Sequence, residues 1–230
     1  MLNILVAGAS RGLGLGLVRA YLERGARVFA VARDPQASSG LADLALQHGA
    51  RLQIIACDLN QPDAAARVLA VLGETRLDRL VLNAGISGPA AQDVATVGEA
   101  EIAQLFLSNA IAPLRLARAL APRLPSGAVL GVVSSEMGSL QLGSGAAMPL
   151  YAASKAALNS LLRSWVAQLG AAREFSLLAL HPGWVQTDMG GAQAPLTVAQ
   201  SVAGLLAVIE AAAGRRDCRF VDYRGETLPW

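Results

Sequence analysis

The chain has 230 residues, 53% of them hydrophobic, 16% charged and only 4% aromatic, with a formal net charge of +2. This is enough apolar chain for one domain with a large core, so a disordered protein is excluded and a single domain over 1–230 is expected. Scattered arginines, few aromatics among them and a small net charge exclude an extended nucleic-acid surface.

In chain order, the apolar run 2–7 reads as a buried strand and passes through a glycine-rich turn into a helix over 12–24. Strand-like runs recur at 27–32, 52–57, 78–82, 127–133, 176–181 and 218–222. Helical patterns fall between them at 41–48, 62–72, 99–122, 150–170 and 197–213, with Pro62 and Thr197 near helix starts. The alternation predicts an α/β fold: one doubly wound Rossmann-type domain, a seven-stranded parallel sheet with helices on both faces, and ligands beyond the carboxyl ends of the strands. The first apolar run is too short for a signal peptide, and Gly, Ser, Gln, Thr and Pro interrupt the uncharged stretches 137–154 and 189–209. Neither an export signal nor a membrane span is therefore expected. Cys57 and Cys218 are isolated, without ligand spacing or a disulfide framework. Reduced thiols, a cytoplasmic location and no metal site follow as expectations.

The turn after the first strand reads Gly8-Ala-Ser-Arg-Gly12-Leu-Gly14. Glycines let a backbone approach a pyrophosphate, and helix N-terminal amides favour anions, so a dinucleotide is expected here. A merely structural turn is the competing reading, weakened by the turn's place at the first strand-helix junction. The second strand ends in Val31-Ala32-Arg33, with no acid at position 32 to bind ribose hydroxyls. Arg33 and Arg11 can instead grip a 2′-phosphate, which predicts NADP(H) over NAD(H), although Asp34 can partly neutralise Arg33.

Lys155 is the chain's single lysine and stands four residues after Tyr151, on the same face of a predicted helix. An unperturbed phenol titrates near ~10, so acid–base work near neutrality asks for a fall of about three units, worth about 4 kcal/mol. One ammonium about 4 Å away supplies ~4 kcal/mol at an effective dielectric of ~20. With three tyrosines in the chain, such a spacing arises by chance roughly once in 80 placements, so the pair needs support from other motifs.

That support is a resemblance. The chain resembles the short-chain dehydrogenase/reductase family over essentially its whole length. The glycine turn at 8–14, Asp58, Asn83-Ala84-Gly85, Asn109 in Leu107-Ser-Asn-Ala110, Ser135 in Ser134-Ser-Glu-Met-Gly138, Tyr151-x-x-x-Lys155 and His181-Pro-Gly-Trp-Val-Gln-Thr187 match the family's motifs in order. The resemblance implies a catalytic set of Asn109, Ser135, Tyr151 and Lys155. It implies cofactor contacts from Gly8, Ser10, Arg11, Gly12, Leu13, Gly14, Arg33, Asp58, Leu59, Asn83, Ala84, Gly85, Tyr151, Lys155, Pro182, Gly183, Val185 and Thr187. In that scheme Tyr151 passes a proton to a carbonyl oxygen, Ser135 holds that oxygen, and Lys155 lowers the Tyr151 pKa and binds the nicotinamide ribose. Asn109 supports a water connecting Lys155 to solvent, and the cofactor carries the hydride.

The sequence departs from the family at Ala7, usually Thr, which removes a hydrogen bond that steadies the turn, and at Leu82, usually Asn. Sixteen residues separate Ser135 from Tyr151, which predicts an extended loop through 141–146; Ser134 and Ser139 are rival serines. The segment His181 to Gly191 resembles a branch that holds carbonyl reductases and a C-factor-like intercellular signalling protein. Ser87, Met137, Leu142, Met148, Trp184 and Met189 are candidate pocket walls, although the methionines can equally fill core gaps. Mostly apolar, the walls suit a hydrophobic aldehyde or ketone, or the corresponding alcohol. The apolar faces of helix 150–170 predict a homodimer or homotetramer. Two alternatives stay open: a cofactor-binding signalling protein, and a reductase of carrier-bound 3-oxoacyl groups docked through Arg115, Arg118 and Arg123.

Overall fold

A computed structural model describes residues 1–230. Seven strands, β1 (Asn3–Ala7), β2 (Arg27–Ala32), β3 (Leu52–Ala56), β4 (Arg79–Leu82), β5 (Val129–Val133), β6 (Ser176–His181) and β7 (Cys218–Asp222), form one sheet in the order β3-β2-β1-β4-β5-β6-β7. Every neighbouring pair is parallel, so the sheet is buried on both faces and its strands are nearly continuous apolar runs. Alternate residues supply the two cores. Ile4 and Val6 pack with Leu17, Leu41 and Val202 beneath α1 (Gly12–Glu23), α2 (Ser39–His48) and α7 (Val198–Ala211). Leu5 and Ala7 pack with Val68, Leu116 and Leu158 beneath α3 (Ala64–Leu72), α5 (Ala112–Leu120) and α6 (Pro149–Leu169).

The predicted architecture is the observed one, and the differences are local. Pro62 lies ahead of α3, whose N-cap is Asp63, whereas Thr197 caps α7 by accepting from the Gln200 amide while Gln200 Oε1 accepts from the Thr197 amide. The expected helix over 99–122 divides into α4 (Glu99–Phe106), a π-helical turn Leu107–Ile111, and α5. Asn109 stands in that π turn, fully buried. Insertions of this kind collect at functional sites because they turn one side chain out of helical register.

The apolar faces of α6 are largely absorbed within the chain. Leu158, Leu162 and Trp165 are buried, and Ala157, Leu161, Val166 and Leu169 pack against the same core. Its exposed positions are Pro149, Ala153, Ser160, Arg163, Ser164, Ala167 and Gln168. The large apolar side chains of this helix are thus covered within the chain itself. No helix is long and apolar enough to cross a membrane, and both cysteines are free thiols.

Candidate active site

The order of strands reverses between β1 and β4, because the chain leaves β1 toward β2 on one side and returns to β4 on the other. A crevice at that switch point, beyond the strands' carboxyl ends, is where dinucleotides bind in open α/β sheets. The glycine turn and Asn83-Ala84-Gly85 stand on its two sides. Gly8 has φ +83°, and a Cβ there would lie 2.6 Å from the Ala84 nitrogen; one on Gly14 would lie 2.0 Å from the Gly8 oxygen. Only glycine allows this closeness.

No side chain caps the start of α1, which leaves its first amides to face an anion. The loss of Thr at position 7 is made good from elsewhere. Asn83 Nδ2 donates to the Gly8 oxygen at 2.9 Å, and Ser38 Oγ donates to the Ser10 oxygen at 2.5 Å. These features fit a dinucleotide pyrophosphate.

Around this cradle the other sequence-derived positions take separate places. Leu13 and Leu59 are partly buried against the two cores. Asp58 Oδ1 accepts from the Asn60 amide at 3.0 Å. Arg33 is exposed just beyond β2 and makes no ion pair, while Asp34 accepts from the Ala37 amide instead of neutralising it. Arg11 is not free: its guanidinium pairs with Asp188 at 2.7 Å, which bridges the glycine turn and the segment after Thr187. Thr187 itself comes within 3.2 Å of where a Gly12 Cβ would stand. Pro182 accepts from Ser201 Oγ at 2.6 Å, and Val185 is buried, bridged to Leu196.

The four residues assigned to catalysis converge beyond β4 and β5. Lys155 and Asn109 flank Gly85, where a Cβ would lie 3.4 Å from Lys155 Nζ and 3.2 Å from Asn109 Oδ1. Asn109 grips the chain at Ile86 twice, accepting from its amide and donating to its oxygen at 2.8 Å each, and it donates to Ser154 Oγ at 3.0 Å. The Ser135 hydroxyl lies close enough to the Tyr151 phenol to favour its ionised form. Ser134, the rival, donates instead to Asn159 Oδ1 at 2.7 Å, and Ser139 accepts from the Leu142 amide.

The electrostatics differ from the expectation. Burial pushes the Tyr151 phenol up to about 12, with only Ser135 opposing it. Lys155 Nζ is 5.8 Å from the Tyr151 ring centre and donates to the Val133 oxygen at 3.0 Å. Burial lowers this ammonium to about 8. Desolvation therefore dominates both groups, and the ammonium that was to lower the phenol spends its hydrogen bond on the backbone.

Two positioning contacts escaped the reading of the sequence. Gln92 Oε1 accepts from the Tyr151 amide at 3.0 Å, and Gln92 Nε2 donates to the oxygens of Ser87 and Pro89. It thereby satisfies an open amide in the first turn of α6 and ties that turn to the loop after β4. His181 Nδ1 accepts from the Glu136 amide at 3.2 Å. Among the candidate walls, Leu142, Trp184 and Met189 are exposed, and Trp184 is held by its Nε1 donating to the Gly190 oxygen at 2.7 Å.

Known proteins resemble this chain over most or all of its length. Carbonyl reductase from Pseudomonas aeruginosa is 60% identical over the full length of both chains, with a TM-score of 0.95, and a structure of that protein in complex with NADP matches equally well. Carbonyl reductase Sniffer of D. melanogaster is 34% identical over both full chains, with a TM-score of 0.87. C-signal of Myxococcus xanthus is 42% identical over 156 residues, which are 67% of this chain and 93% of that one. The short chain dehydrogenase family matches over residues 2–195, a span that includes the glycine cradle, Tyr151, Lys155 and the turn beyond β6; the chain belongs to that family of oxidoreductases.

Proposed function

We propose that this protein is an NADP(H)-dependent carbonyl reductase acting on hydrophobic aldehydes or ketones, with Tyr151 as its acid. The observation that carries the proposal is the half-buried Tyr151 phenol beside the Ser135 hydroxyl, one helical turn from Lys155, which reaches Gly85 of the glycine cradle. When bound, the nicotinamide supplies the hydride. The chain's own groups do the rest. Because its pKa lies well above neutrality, Tyr151 holds a proton at Oη at pH 7 and can give it to a carbonyl oxygen that Ser135 helps to hold. Lys155, the nearest ammonium, and the Asn109 clamp on Ile86 fix the floor on which the nicotinamide ribose would rest.

Preference for the phosphorylated cofactor is supported by free, exposed Arg33 where an acid would otherwise bind ribose hydroxyls, and by the NADP complex of the Pseudomonas aeruginosa protein. The exposed apolar side chains Leu142, Trp184 and Met189 favour a hydrophobic substrate. A carrier-bound acyl substrate is less well supported. Arg123 pairs with Glu74 at 2.7 Å, and its oxygen accepts from Leu77 just ahead of β4, at the amino end of the sheet away from the site. The C-signal match favours a second reading, a signalling protein that binds the same cofactor. Consumption of NADPH with a panel of aromatic and aliphatic aldehydes and ketones tests the proposal. Cofactor binding without turnover of any carbonyl would favour the signalling reading.

A further inference from the structure

The parallel ladder between β5 and β6 ends with the Ser134 amide donating to the Leu180 oxygen at 2.8 Å. In a parallel ladder the next amide to face the neighbouring strand is two residues on, at Glu136. The backbone oxygen it would reach belongs to Pro182, but that oxygen is taken by Ser201 Oγ at 2.6 Å, and the chain turns at Ser135 into a 3-10 turn over Glu136–Gly138. The His181 imidazole fills the gap. Its Nδ1 accepts from the Glu136 amide at 3.2 Å, and its Nε2 faces the Glu136 carboxylate at 3.7 Å. One ring thus faces both ends of one residue: the amide contact requires an unprotonated Nδ1, and the carboxylate favours a proton on Nε2.

We propose that His181 is a positioning residue for the reductase site, its neutral imidazole serving as the last rung between β5 and β6, which fixes Ser135 against Tyr151 and joins the serine turn to Pro182–Gly183, and that protonating the ring releases the turn. The proposal rests on the reductase reading above. A cationic imidazole carries hydrogen on both nitrogens and cannot accept from an amide, so acid opens this rung by removing its acceptor.

The charged surroundings of the ring are few. Glu136 comes from the serine turn, Asp222 is its register partner on β7, and Arg224 follows in the next turn, clamped on Asp222 at 2.9 Å. On the far side of the serine turn α6 brings Tyr151 toward Ser135 and Lys155 toward Val133. The two carboxylates favour the cation, while burial, the largest influence, and Arg224 oppose it and hold the ring below the ordinary histidine value. The rung is therefore closed at neutral pH and opens as pH falls through that lowered value.

Asparagine and leucine at position 181 test this in the full-length protein. His181→Asn places Oδ1 where Nδ1 stood, an acceptor that does not titrate. It should keep kcat within about threefold at pH 7.5 and lack the acidic fall in kcat expected of wild type. His181→Leu should lower kcat roughly 10–100-fold, the scale of a misplaced catalytic group, with little change in cofactor KM. Nitrogen-15 spectra give a readout free of activity. The chain has two histidines, and the resonance missing from His181→Asn should have an unprotonated Nδ1. An unchanged acidic limb in His181→Asn, or a protonated Nδ1 at neutral pH, overturns the proposal even if the leucine variant does not fold. Absence of carbonyl reduction by wild type instead counts against the reductase reading.

Discussion

Lys155 Nζ stands 5.8 Å from the centre of the Tyr151 ring and donates its hydrogen bond to the Val133 oxygen. With burial as its main influence, the ammonium falls to about 8. The chain's single lysine makes this measurable, since selective carbon-13 labelling gives one side-chain signal. In the cofactor-free protein that signal should titrate near pH 8; a midpoint above 10 would show an ammonium still hydrated. The linked effect on stability has a definite sign. Between the folded value and the ordinary lysine value the unfolded chain holds the proton and the folded chain does not, so this group favours folding increasingly as pH rises across that window. Lys155→Met should remove that contribution, read as a flatter pH dependence of the denaturant midpoint than wild type over pH 8–10.5.

Ser134 and Ser135 are adjacent yet should fail in different ways. Ser135→Ala removes the hydroxyl beside the phenol and should lower kcat by about 10²–10³-fold, with a cost of about 0.5–2 kcal/mol in stability because the Met137 amide loses its capping acceptor. Ser134→Ala strands the buried Asn159 oxygen that it donates to and should cost about 1–3 kcal/mol of stability, with activity per folded molecule retained. Tyr151→Phe should lower kcat by at least 10²-fold while NADPH still binds. Chemical denaturation and initial rates on all three variants separate these outcomes, and an active Tyr151→Phe would remove the proposed acid.

Arg11 and Arg33 were read from the sequence as a matched pair of phosphate grips, and the structure makes them unequal. Arg11 is engaged by Asp188, whereas Arg33 is free. Arg33→Ala should therefore reduce the ratio of kcat/KM for NADPH over NADH by at least about tenfold, the scale of one charge-assisted phosphate contact. Arg11→Ala should reduce it less, and Asp188→Asn, by freeing Arg11, should lower the KM for NADPH. Equal losses from the two arginine variants would mean that Arg11 leaves Asp188 when the cofactor binds.

What could be read from the sequence is what sequence spacing encodes. The seven strands, the glycine turn and the i, i+4 placement of Tyr151 and Lys155 follow from short-range periodicity, and all occur in the fold. The π turn at Asn109 did not show, because an inserted residue leaves an apolar helical pattern nearly intact. Nor did the contacts Arg11 to Asp188, Gln92 to Tyr151 and Glu136 to His181, whose partners are 177, 59 and 45 residues apart. They depend on which strand ends the topology makes neighbours. The raised phenol and lowered ammonium did not show for a related reason: spacing fixes a helix face but not how far burial strips its side chains of water.

The amino-terminal end of the sheet, opposite the site, carries its own buried charge. Arg79, the first residue of β4, meets Glu210 of α7 through Nε at 3.1 Å and Nη2 at 2.6 Å, with the Tyr21 hydroxyl donating to the same carboxylate. The Arg79 side chain is only 8% exposed and that of Glu210 33%, so the guanidinium has the more to lose from separation. Glu210→Ala leaves a buried cation uncompensated and should cost about 3 kcal/mol, the lower end of the range for a broken buried pair because Glu210 is partly solvated. A melting temperature lower by roughly 6–12 °C corresponds to that cost in a chain of this size. Carbonyl reduction per folded molecule should be unchanged, since the pair lies at the other end of the strands. Replacing both partners, Arg79→Met with Glu210→Leu, should recover most of the loss, because removing both charges leaves none to be desolvated. If the double variant melted as low as Glu210→Ala, the pair would be needed for its own attraction and not merely for mutual neutralisation.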